Sequence, residues 1–106
     1  MSERREQGDT TRRRTLGDVH VDRSQSAGAF SQPFVELITE AAWGHVWSSD
    51  AIPPRERSML TLAILAALGN WEEFELHLRA TVNTGASAQD VQQALMHVAI
   101  YAGVPR

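Results

Sequence analysis

His77 and Glu73 are the residues of this sequence best suited to moving a proton. They lie four positions apart in a segment where Trp71, Phe74, Leu78 and Val82 recur at helical spacing. Side chains four apart on a helix meet, so a carboxylate at 73 can hold an imidazole at 77 in one orientation and favour its charged form. An imidazole at the edge of an apolar wall, oriented by an acid, is prepared to donate a proton. On a solvated face the same pair would contribute only about 0.2–0.5 kcal/mol. Arg55 and Arg57 fall in the first turn of the preceding helical segment, where a cation opposes the helix dipole. Their placement suggests a task elsewhere, such as holding an anion or a partner's acid. Arg79, two residues past His77, points to another face of the same helix. All three are candidates for gripping a carboxylate with two parallel hydrogen bonds; the alternative is solvation or weak surface pairing.

The other histidines carry less information. His97 lies among apolar residues and reads as a hydrogen-bonded core group. His45, between Gly44 and Val46, reads as a helix-end group. His20 sits in a polar stretch without clear periodicity. No two histidines show the spacing of a zinc site such as His-Glu-x-x-His, so no metal is expected. No glycine-rich phosphate loop or serine elbow is present, and the serines read as helix caps.

Composition narrows the chemistry further. The 106 residues contain no cysteine, which excludes thiol redox chemistry and disulfides within them. All ten basic residues are arginine, so a lysine Schiff base is excluded too. The formal charge of −3 does not favour nucleic acid, and no partner of that kind is expected. The longest apolar stretch, Met59 to Leu68, is about half the ~20 residues that a bilayer span needs. No membrane partner is expected, and the charged N-terminus lacks a signal-like apolar region, which implies a cytoplasmic protein.

These side chains must be positioned by helices. Residues 1–15 carry five arginines and three acids with almost no apolar side chain, and read as a flexible charged arm. Residues 16–26 read as irregular. A first helix is predicted from Phe30 or Gln32 to Trp47, capped by Ser31 with Pro33 just inside. A second runs from Pro53 and Pro54 to Gly69. Beyond its first turn it is apolar on every side, so a chain this short must hide part of it against other subunits. A third opens at Asn70 with Glu73 in a capping-box relation, buries Trp71, Phe74, Leu78 and Val82, and stops at Gly85. A fourth opens at Ser87 with Asp90 in the same relation, carries Val91, Leu95, Val98 and Ala102, and ends at Gly103 and Pro105. Nothing reads as a strand, and the fold class is all-α.

Several segments, in order, resemble the 4-carboxymuconolactone decarboxylase family of the alkylhydroperoxidase D-like superfamily. They are Leu-Gly-Asp-Val-His-Val-Asp-Arg (16–23), Ala-Trp-Gly-His-Val-Trp (42–47), Pro-Arg-Glu-Arg-Ser-Met-Leu-Thr-Leu-Ala (54–63) and Glu-Leu-His-Leu-Arg-Ala (75–80). Asn83, Gly85 and the ending Ala-Ile-Tyr-Ala-Gly-Val-Pro (99–105) complete the set. The resemblance implies a helical bundle over residues 16–106 and a ring-like assembly, a homotrimer or homohexamer. It implies conversion of 4-carboxymuconolactone to 3-oxoadipate enol-lactone and carbon dioxide, in protocatechuate breakdown, with no cofactor. The redox relatives carry two cysteines and a histidine on the third helix. Here Asn70 and Glu73 stand at the cysteine positions and His77 at the histidine, which points to His77 as general acid oriented by Glu73. Arg55, Arg57, Arg79 and His20 become the candidate contacts for the lactone's carboxylates. Family members continue past the Val-Pro turn into a further helix that residues 16–106 do not include. Two other functions fit parts of the pattern: a non-catalytic oligomeric relative that binds an aromatic-derived acid, and a peroxidase-like member, which the missing cysteines disfavour.

Overall fold

The computed structural model describes residues 2–103, and these are helical with no strand among them. They form two compact units that divide between Ala51 and Ile52.

The first unit holds α1 (Glu3–Leu16), α2 (Asp18–Gln25) and α3 (Gln32–Ile38), the last running on into a π-helical segment, Thr39–Trp47. The stretch expected as an arm is therefore α1, and the stretch expected as irregular holds α2. The physical reason is that α1 docks through small residues and not through a stripe of large apolar ones. Gly8, Thr11 and Thr15 are buried in it, and a Cβ on Gly8 would run into the Thr39 carbonyl. Gly44 meets α1 from the other side, where its own Cβ would run into the Arg4 carbonyl. Two glycines thus let the backbones approach closely, a use of glycine independent of its backbone freedom. The Thr11 and Ser48 hydroxyls hydrogen-bond at 2.6 Å across this seam.

The charges of α1 are also organised. Ser2 caps it by accepting from the Arg5 N–H at 3.1 Å, Glu3 and Glu6 lie in the first turn, and Arg13 and Arg14 lie in the last. That order matches the helix dipole. Arg13 bridges Asp9, Asp18 and Asp22 at 2.9–3.0 Å, which ties α1 to α2 and raises the guanidinium's pKa, with Asp18 the largest cause. The expected Ser31 cap makes no side-chain hydrogen bond.

The second unit holds α4 (Pro54–Leu68), α5 (Trp71–Arg79), the short α6 (Thr81–Thr84) and α7 (Ala88–Ala102). Pro54 opens α4, and Gly69 closes it in the left-handed region at φ 72°, as the sequence predicts. Ser58, Leu62 and Ala66 form the buried face of α4, one turn apart. Leu60, Ile64 and Leu68, on another face, stay open in the single chain. The capping box of α7 forms as predicted: Ser87 Oγ accepts from the Asp90 N–H at 3.0 Å, and Asp90 accepts from the Ser87 N–H at 2.9 Å. Its Gly103 end is also found; Pro105 lies outside the described residues.

Two expectations for α5 are corrected. Asn70 makes no side-chain cap, so the box with Glu73 is absent. The buried side of α5 and α6 is not the stripe of Trp71, Leu78 and Val82, which are exposed; it is His77, Ala80 and Thr84. Helical spacing identifies an apolar face but not what stands opposite it. Here α4 presents a small hydroxyl and a leucine to its neighbours: Ser58 Oγ meets Thr84 Oγ1 at 2.6 Å, both buried.

Candidate functional site

His77 is placed by α5, and only 8% of it is exposed. Its Nε2 lies 3.9 Å from Glu73 Oε2, an i,i+4 approach too long for a hydrogen bond and close enough for charge to be felt. Glu73 itself is half exposed. The pair that the spacing singled out is therefore together, with the imidazole on the interior side and the carboxylate at the rim.

The three arginines separate. Arg79 lies on the solvent side of α5 and bonds Glu75 at 2.7 Å, with both side chains about two-thirds exposed at 68% and 67%. Arg57 is half-buried on α4. Arg55, in the first turn of α4, reaches across to α7: its Nε donates to Asp90 Oδ2 at 2.7 Å and its Nη2 donates to Oδ1 at 2.6 Å. The cation set against the dipole of its own helix thus meets an acid of the same chain, and that acid also caps α7. Arg55 holds the Asp90 carboxyl well below the usual carboxylate range, helped by the backbone N–H of Ser87. Asp90 in turn raises the pKa of Arg55.

Arg55 also lines a groove of about 590 Å³ between α4 and α7, with Met59, Leu60 and Ala63 on one wall and Gln93, Ala94 and His97 on the other. Its size falls within the roughly 300–1,000 Å³ range of small-molecule sites. His97, expected in the core, is exposed on this wall and stacks on Tyr101 with ring centroids 6.0 Å apart. His77 is not part of this lining.

The remaining candidates belong to the first unit. His20 is half-buried on α2, and His45 is exposed near the end of the π-helical segment. His45 borders a second groove of about 540 Å³ with Arg4, Arg5, Glu36, Leu37 and Glu40, across which Arg5 and Glu36 pair at 3.0 Å. Serines expected as caps also act inside: Ser48 and Ser58 both bond hydroxyls across helix seams. Sequence reasoning missed the Arg55–Asp90 bridge. The capping-box signal had drawn attention to Asp90, but its partner is 35 positions away. Among the described residues no cluster of three or more His, Asp or Glu is arranged to hold a metal ion, and no helix is long and apolar enough to cross a membrane.

Residues 32–106 match the sequence profile of the carboxymuconolactone decarboxylase family. Two curated proteins are similar over nearly the whole chain. A 4-carboxymuconolactone decarboxylase of Acinetobacter baylyi is 39% identical over 104 residues, which cover 97% of this chain and 78% of that protein. The nitrosuccinic acid decarboxylase npaB of Metarhizium robertsii is 36% identical over 101 residues, covering 94% and 71%.

Proposed function

The chain belongs to the carboxymuconolactone decarboxylase family, and from that premise we propose that it converts 4-carboxymuconolactone to 3-oxoadipate enol-lactone and carbon dioxide in protocatechuate breakdown. Both relatives are named as decarboxylases, and one carries this substrate in its name. The observation that carries the reading is a buried imidazole, His77, with a carboxylate one turn before it, in a chain without cysteine. That combination fits delivery of a proton and not thiol chemistry.

The substrate supplies its own electron sink, so the reaction is assigned no cofactor. The carbon that bears the departing carboxylate adjoins a double bond conjugated to the lactone carbonyl. When the carbon–carbon bond to that carboxylate breaks, carbon dioxide leaves and the electron pair spreads onto the carbonyl oxygen as a dienolate. Protonation at the carbon next to the carbonyl then gives the enol-lactone. His77 is the proton donor and is recharged from water; Glu73 orients it. Arg55, Arg57, Arg79 and His20 are the candidate contacts for the carboxylates, and an arginine suits the retained acetate group because its fork matches two oxygens. Donors placed where the oxyanion develops would lower the barrier further.

Self-association belongs to the same proposal, as a homotrimer or homohexamer. Ile64 and Leu68 lie one turn apart along α4, away from the groove lining, and are 58% and 71% exposed in the single chain. An apolar stripe of that length is ordinarily covered. A cytoplasmic location is proposed with it, since the substrate is a metabolic acid.

The direct experiment follows carbon dioxide release from 4-carboxymuconolactone by the purified protein, with calorimetry of the same lactone alongside. Release at an enzymatic rate supports the proposal. Binding without release makes the chain a binding protein, and neither binding nor release removes this substrate.

A further inference from the structure

We infer that the α4–α7 groove holds the substrate's retained carboxylate on Arg55, and that Asp90 is the residue that positions Arg55 for it. This rests on the decarboxylase reading given above and names the site that reading leaves open among three arginines.

Of those three, Arg55 is the one that borders the apolar groove. Arg79 is spread on the solvent side of α5 against Glu75. Arginine is a long side chain, and fixing one on binding costs conformational entropy. Asp90 removes that cost in advance. It is itself fixed, because it sits in the first turn of α7 and accepts from the Ser87 N–H. The two hydrogen bonds to Asp90 use Nε and one N–H of Nη2. A guanidinium has five N–H donors, so three remain for a second carboxylate.

The side chain of Arg55 is 49% exposed and that of Asp90 14%, so the acid is packed behind the cation and the cation faces outward. The charge of Asp90 is also taken up by the N-terminal end of α7, where acids are favoured. Glu56 lies on the groove lining as well, so the site is not broadly cationic. It suits a ligand with one carboxylate at Arg55 and a neutral, largely apolar body against Met59, Leu60, Ala63 and Ala94. Gln93 and His97 offer hydrogen bonds to a carbonyl or ring oxygen of that body; His77 lies outside this lining, so the groove fixes the carboxylate and does not by itself supply the proton. The enol-lactone product, a lactone ring with an acetate arm, has this form, and the substrate adds to it the ring carboxylate that leaves.

The test compares wild type with D90N, R55K and S87A. Asparagine at 90 can still accept from the Ser87 N–H, so D90N keeps the cap and weakens the hold on Arg55. S87A removes the other half of the cap and leaves the Arg55–Asp90 pair. Two readouts are taken: KM and kcat for carbon dioxide release from 4-carboxymuconolactone, and calorimetric binding of adipate, a dicarboxylate that cannot follow the reaction. Loss of one well-formed charged contact corresponds to about tenfold. D90N and R55K are therefore expected to raise KM and the adipate Kd about tenfold while kcat stays within about twofold. S87A is expected to lower the melting temperature and leave KM unchanged.

Unchanged KM and adipate binding in D90N and R55K would overturn the inference while leaving the decarboxylase reading intact. An S87A variant with the same rise in KM as D90N would reduce Asp90 to a cap and overturn it too. If wild type releases no carbon dioxide but binds adipate, and D90N weakens that binding, the decarboxylase reading fails and the groove assignment stands. If wild type neither binds adipate nor shows saturable turnover, the groove assignment fails.

Discussion

Arg55 and Asp90 are joined by two hydrogen bonds of 2.7 and 2.6 Å, which link the first turn of α4 to the first turn of α7 across 35 positions of sequence. The contact places a cation where the dipole of its own helix opposes it and answers it with an acid where the dipole of the next helix favours it. One carboxylate thereby caps a helix, anchors an arginine and fixes one end of the groove.

That bridge gives the protein a signed pH dependence. The Asp90 carboxyl is held below its ordinary value of 3.8, with Arg55 the main cause. A depressed carboxylate contributes stability that is fully present above the unfolded-state value and is lost as pH falls through the folded one. Wild type is therefore expected to lose stability as the pH drops below about 4, and D90N to lose less over that range. Urea denaturation at a series of pH values measures both; parallel curves for the two proteins would remove Asp90 as the cause.

His77 is the residue on which turnover should depend. A general acid contributes about 10²–10⁴-fold, so H77Q is expected to lower kcat by that much while keeping the helical circular dichroism of wild type. Turnover equal to wild type would take His77 out of the mechanism. E73Q, acting through His77, should cost less and shift the pH profile of kcat.

Leu62 is fully buried on α4. Truncation to alanine removes buried methyl groups and leaves a void, which costs about 2–5 kcal/mol. A fall in the urea midpoint of L62A, with the slope unchanged, is the expected outcome. A midpoint within error of wild type would mean that the α4 core is not where the structure puts it.

The glycine crossing of the first unit makes an independent prediction. A methyl group at Gly8 or Gly44 meets backbone that cannot rotate away. Overpacking of this kind typically costs about 1–3 kcal/mol or more. G8A and G44A are both expected to lower the thermal midpoint, whereas G28A, with open space around its position, answers only to its backbone angle. If G8A melts as wild type does, α1 does not dock on the π-helical segment through these residues.

Self-association has a simple test. I64E puts a charge in the middle of the open stripe of α4. Sedimentation is expected to show an oligomer for wild type and a smaller species for I64E. A wild-type protein that sediments as a monomer at all concentrations would sink the proposal.

Local pattern set the helical class, the proline starts of α3 and α4, the glycine stops at Gly69, Gly85 and Gly103, and the one-turn spacing of Glu73 and His77, whereas the single helix expected from Asn70 to Gly85 is divided into α5 and α6. These are local properties. A 3.6-residue repeat, a proline in a first turn and a side chain one turn away all act within a few positions, so no knowledge of the rest of the chain is needed. Tertiary structure alone decided which faces are buried. The charge-rich stretch Glu3–Leu16 docks as α1 because Gly8 and Gly44 allow a close backbone approach, and closeness between positions 36 apart leaves no periodic trace. The stripe of Trp71, Leu78 and Val82 along α5 and α6 is apolar yet exposed, while His77 is polar yet buried, because burial depends on what stands opposite. Arg55 found Asp90 and His97 found a groove for the same reason: charge and shape complementarity are properties of pairs of elements, and a linear pattern records only one member at a time.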